Sequence, residues 1–85
     1  MADRLRDIRG KIDELDRRVA GLLARRFTLG IAIGRERLKK RFTDRAREKR
    51  VLANAASGAG KPAYRPAVRA VFTEVIRQTK KLQKC

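Results

Sequence analysis

The residues of this 85-residue chain that could do chemistry are charged or amide groups placed where the surrounding pattern asks for something else. Arg26 falls on an apolar seam, seven residues after Val19 and seven before Ile33. A guanidinium held there without a partner is costly, so it needs a nearby anion, an acidic side chain, or an escape to solvent. Arg37 follows eleven residues later, about three helical turns on, and projects from nearly the same face. Asp44, Arg47 and Glu48 stand at i, i+3 and i+4 and share one helix face, a spacing that also suits an ordinary surface ion-pair cluster. Thr79 interrupts the apolar stripe of the last segment, and Gln83 follows it by four residues on the same side. A glutamine so near the end would ordinarily fray into solvent. Together these groups offer anion binding and hydrogen bonding.

Composition narrows the chemistry further. There is no His, so His-based acid–base catalysis and His metal sites are excluded. The single Cys, Cys85, excludes an intrachain disulfide and a Cys-rich zinc site, and has no His to activate it. The run Gly58-Ala59-Gly60-Lys61 echoes a phosphate-binding loop, but Pro62 stands where Ser or Thr is required and no strand precedes it; it reads as a turn. No apolar stretch approaches the roughly 20 residues of a membrane span, and no apolar leader follows Met1. The chain reads as soluble and cytoplasmic.

Charge is the unusual quantity, with 24 Lys and Arg against 9 Asp and Glu for a net +15. It is unevenly spread: residues 1–24 carry net +1, residues 25–50 net +8, residues 51–60 none, and residues 61–85 net +6. Such a balance fits nucleic acid, anionic membranes or small anionic ligands. Against a specific nucleic-acid binder stand the lack of a helix-turn-helix or basic-zipper layout and the few aromatics, Phe27, Phe42, Phe72 and Tyr64.

The elements that must position these groups are helical. From Asp3 to about Leu38 there is no Pro, and Leu5, Ile8, Ile12, Leu15, Val19, Leu22, Leu29 and Ile33 recur on steps of three and four. Gly10, Gly21, Gly30 and Gly34 each weaken this helix by up to about 1 kcal/mol, unless small residues serve close helix packing. Such a helix would run roughly 54 Å, whereas a compact chain of this length spans about 25–30 Å. It cannot hide its seam within one chain, which predicts a homodimer of long helices covering each other. Thr43 or Asp44 suits an N-cap for a short second helix to about Ala55, residues 57–62 form a turn, and a third helix runs from near Pro66 to about Lys84. Its stripe is Val68, Val71, Phe72, Val75, Ile76, Thr79 and Leu82. The expectation is an all-α chain of three helices, one very long, one short and one medium.

Taken in order, these residues resemble the all-helical (type II) class of chorismate mutases. Leu5-Arg6-Asp7-Ile8-Arg9-Gly10-Lys11-Ile12-Asp13-Glu14-Leu15-Asp16 looks like the family's opening Arg-x-x-Ile-Asp-x-Leu-Asp, and Leu22-Leu23-Ala24-Arg25-Arg26 like its leucine-rich run ending in arginine. Ile33-Gly34-Arg35-Glu36-Arg37 stands where the family has Gly-x-x-Lys, and Asp44-Arg45-Ala46-Arg47-Glu48 matches its Asp-x-x-Arg-Glu. Phe72, Ile76, Thr79 and Gln83 match its last helix. Each motif is weak alone; their order and number across nearly the whole chain make the match specific.

The resemblance implies one domain over residues 1–85, three-helix subunits intertwined as a dimer, and rearrangement of chorismate to prephenate on the way to Phe and Tyr in the shikimate pathway. That [3,3] rearrangement needs no metal, cofactor or general base. By the same resemblance, Arg26 and the partner chain's copy of Arg9 grip the two carboxylates, Arg47 adds positive potential, and Thr79 supplies a hydroxyl contact. Asp44 and Glu48 hold the ring hydroxyl, while Arg37 and Gln83 reach the ether oxygen. One departure stands out: Arg37 replaces the family's Lys, with Lys39 and Lys40 close by. Relatives on the same scaffold remove pyruvate from isochorismate or act on 4-amino-4-deoxychorismate. The basic residues without a post (Arg41, Arg45, Lys49, Arg50, Lys80, Lys81, Lys84) fit steering of an anionic substrate, solubility, or docking of an acidic protein partner.

Overall fold

The computed structural model describes residues 2–40 and 45–84, with side chains over 3–36 and 45–84. The N-cap expected at Thr43 or Asp44 lies outside the described residues. Helix α1 spans Ala2–Lys40, α2 Arg45–Ser57 and α3 Arg65–Gln83, with a 3-10 turn, Pro62–Tyr64, ahead of α3. The described residues form no strand. α1 outruns the expected end at Leu38 by two residues, and α2 outruns Ala55 by two. The 3-10 turn was not expected. Pro62 opens it and Pro66 enters the first turn of α3, where a missing N–H costs nothing because no acceptor precedes it.

The connection after α2 is the turn its composition requires. Gly58 N donates to Asn54 O at 3.0 Å, and Gly60 takes φ +83°, a left-handed conformation that glycine adopts without strain. Tyr64 N then donates to Lys61 O, also at 3.0 Å, closing the 3-10 turn.

α3 packs on both other helices. Glu48 near the start of α2 meets Lys80 near the end of α3, so α2 and α3 run antiparallel across their short connection. α1 and α3 run parallel where they touch, Arg26 facing Thr79 and Gly30 facing Gln83. The fit is close because α1 has no side chain there. A Cβ at Gly30 would lie 2.5 Å from Thr79 Cγ2, and one at Gly34 would lie 2.7 Å from Gln83 Cγ. These two glycines are the small residues that close packing demands; Gly10 and Gly21 meet nothing within 4 Å.

The first two thirds of α1 projects beyond this three-helix contact. Leu5, Ile8, Ile12, Leu15, Val19 and Leu22 there are each between 45 % and 61 % exposed. Val71 and Leu82, counted in the α3 stripe, are also exposed. Among the described residues only Ala56 and Val75 form a buried apolar core, with Thr79 beside them. The molecule measures 57 × 27 × 14 Å with a radius of gyration of 16.2 Å, where a compact chain of this length would have about 12 Å. Its accessible surface of 7500 Å² exceeds the roughly 5,100 Å² expected of a compact monomer of this mass.

Candidate active site

Three helices present complementary faces to one cavity of about 290 Å³. From α1 come Arg26, Leu29, Gly30 and Ile33, a run at i, i+3, i+4 and i+7. From α3 come Ile76, Thr79, Lys80 and Gln83 at the same spacing, and from α2 come Arg47, Glu48 and Val51. The periodicity places each group on a face; parallel packing of α1 on α3 brings the two polar faces together.

Among the described residues, Arg26 neither escapes to solvent nor pairs with an acidic side chain. It is half-buried, and its Nη1 donates to Thr79 Oγ1 at 3.2 Å. Thr79 Oγ1 in turn donates to Val75 O at 2.7 Å, one turn back along α3. The hydroxyl is thereby fixed, and the fork of Arg26 keeps further N–H donors for an anion. Gln83 does not fray: it is half-buried, and its Nε2 donates to Gly30 O at 2.7 Å. That bond reaches a helical carbonyl already used along α1, and the absence of a Cβ on Gly30 leaves it approachable.

Glu48 is tied to the other side of the cavity. Its Oε1 pairs with Lys80 Nζ at 2.5 Å, with the Glu48 side chain 28 % exposed and Lys80 52 %. The ion pair of Glu48 crosses from α2 to α3. Helix ends favour both members, since Glu48 lies in the first turn of α2 and Lys80 in the last turn of α3. Arg26, Arg47 and Lys80 against Glu48 leave the cavity with a positive excess of two, suited to a dianion.

Of the expected site residues, Arg26, Arg47, Glu48, Thr79 and Gln83 line this cavity. Arg9 does not. It is exposed and sits seventeen residues, or about 25 Å, along α1 from Arg26, beyond reach within one chain. The side chain of Arg37 and all of Asp44 lie outside the described residues. Sequence reasoning missed Lys80 and Gly30 as parts of the site. A signal existed for both, since each stands four residues after a residue already singled out or lining the stripe (Arg26 and Ile76).

The arrangement can grip carboxylates, accept a hydrogen bond from a hydroxyl at Glu48, and aim an amide at a neutral oxygen. No helix of the described residues is long and apolar enough to cross a membrane. No curated protein and no solved structure matches the chain at a significant level. The family model for chorismate mutase type II matches residues 8–84; the chain belongs to that family and is an isomerase that converts chorismate to prephenate.

Proposed function

We propose that the chain is a single domain working as an intertwined homodimer. In it, each cavity binds chorismate in a compact chair and rearranges it by position and electrostatics alone. The observation that carries this reading is the convergence of Arg26, Arg47, Glu48, Thr79 and Gln83, from three helices, on one cavity. Arg26 takes one carboxylate bidentately, and the partner chain's copy of Arg9 takes the other. Arg47 adds positive potential beside them. Glu48, with Asp44, accepts from the ring hydroxyl, and Thr79 supplies the hydroxyl contact that accepts from Arg26 and holds that guanidinium in place. Gln83, with Arg37, donates toward the ether oxygen as its C–O bond breaks and the new C–C bond forms. Nothing leaves and nothing is added, so the reaction closes within one molecule. Pre-organising its two ends is the main task.

Two observations support the dimer. The α1 seam is exposed, and the surface excess of roughly 2,400 Å² per chain is on the scale buried by obligate dimers. A second copy laid along α1 also brings an Arg9 where one chain cannot. A soluble enzyme of amino-acid biosynthesis belongs in the cytoplasm, and an acidic protein partner is a use for the basic residues that have no place in the site.

The test is turnover of purified protein with chorismate, following both its loss and the identity of the product. Arg26→Ala and Gln83→Ala should each lower kcat/KM by about 10²–10³. Because Gln83 is a neutral amide and the chain has no His, activity should stay nearly flat between about pH 6 and 8. Pyruvate release from isochorismate without prephenate formation would assign the lyase activity instead. No turnover, with tight and strongly salt-dependent DNA binding, would overturn the enzyme reading.

A further inference from the structure

Lys80 lies in the cavity on the same face of α3 as Thr79 and Gln83 and is committed to Glu48, the carboxylate read above as the acceptor for the ring hydroxyl. The consequence follows from charge. A carboxylate with no cation beside it accepts an ammonium better than a hydroxyl, because the pair is charge-assisted. With Lys80 on Oε1, the charge of Glu48 is already compensated, yet its remaining lone pairs are still open to an O–H donor. An ammonium brought to the same carboxylate would stand a few ångströms from the Lys80 ammonium, with Arg26 and Arg47 lining the same cavity. Like charges so placed repel strongly in a part-desolvated site.

We propose that Lys80 is a specificity-determining residue. By occupying Glu48 it makes the cavity select a substrate carrying a hydroxyl, and reject one carrying a primary amine, at the ring position Glu48 holds. This rests on the assignment of Glu48 to the ring hydroxyl. α3 positions the lysine without cost to the fold: Lys80 is half-exposed, in the last turn where a cation is favourable, and one turn beyond Ile76 on the cavity face.

The experiment compares kcat/KM for chorismate and for its analogue with a primary amine in place of the ring hydroxyl, which is protonated near neutral pH as alkyl amines are. Wild type, Lys80→Met, Lys80→Gln and Lys80→Arg are measured side by side, with folding checked by circular dichroism. Wild type should prefer the hydroxyl compound. Lys80→Met and Lys80→Gln should each shift the ratio toward the amine by about tenfold or more, while Lys80→Arg keeps the wild-type ratio. Two neutral variants are used so that one poorly folded protein does not decide the matter. A ratio unchanged in both, or a wild type that prefers the amine, overturns the role of Lys80 and leaves the mutase reading standing. A wild type that turns over neither compound overturns that reading, and the role of Lys80 with it.

Discussion

Replacing Gly30 by Ala tests whether close approach of α1 and α3 sets the catalytic geometry. The added Cβ would lie 2.5 Å from Thr79 Cγ2, against about 3.5–4.0 Å for a comfortable carbon contact. Either α3 retreats by about 1 Å, or Thr79 turns about χ1 and its hydroxyl leaves Arg26 and Val75 O. Overpacking of this kind costs about 1–3 kcal/mol, and the better helix propensity of Ala returns about 1, so the net loss of stability should be only about 0–2 kcal/mol. Activity should suffer more. A displacement of about 1 Å at Thr79 and Gln83 is worth about 10²-fold in kcat/KM.

The same geometry names its own rescue. Apart from Cγ2, the nearest atom to the new Cβ is Thr79 Cβ at 3.9 Å, an ordinary contact. Thr79→Ser removes the offending methyl and keeps the hydroxyl that bonds Arg26 and Val75. Gly30→Ala with Thr79→Ser should therefore recover most of the activity, giving a coupling of about 0.5–3 kcal/mol in a double-mutant cycle. Gly34→Ala has no such partner, because its Cβ would press on Cβ, Cγ and Cδ of Gln83 together, at 3.0, 2.7 and 3.2 Å. The assay is steady-state kinetics with chorismate beside thermal melts of wild type, the two single variants of the cycle, the double variant and Gly34→Ala. A Gly30→Ala protein within about threefold of wild-type kcat/KM, or a double variant no better than the single, refutes the reasoning.

Two further outcomes follow from other parts of the molecule. Glu74 accepts hydrogen bonds from Arg77 at 2.8 and 2.6 Å and from Gln78 at 2.7 Å, and these hold its carboxyl down to about 2 from an ordinary 4.5. A depressed carboxyl stabilises the fold above its unfolded value and loses that contribution as pH falls from 4.5 toward 2; Glu74→Gln should flatten the melting temperature over that window, and an unchanged slope would sink the assignment. Light scattering should report a dimer, and Leu15→Lys with Leu22→Lys should abolish both dimer and fold, since each buried leucine is worth about 1.5–3 kcal/mol and the single chain buries almost none; a folded, active monomer would refute the shared site.

Much of this protein was legible along the chain. Three helices follow from apolar periodicity, proline placement and the glycine-rich turn, and the first is too long to be covered by its own chain. The polar exceptions on those faces, Arg26, Arg47, Glu48, Thr79 and Gln83, stand out in the sequence, although spacing alone fits a surface cluster or a frayed end as well as the cavity they line. These are local facts, because helical period and backbone sterics act over a few residues. Tertiary structure decided the rest. That Arg26 meets Thr79, that Gln83 caps onto Gly30 O, and that Glu48 pairs with Lys80 depend on how α3 lies across α1 and α2. No periodicity within one helix fixes that register. Lys80 and Gly30 show the limit most clearly. In the sequence one is a basic residue among many and the other a weak point in a helix. Only the packing of three helices makes one a charge inside the cavity and the other the gap through which Thr79 and Gln83 reach it.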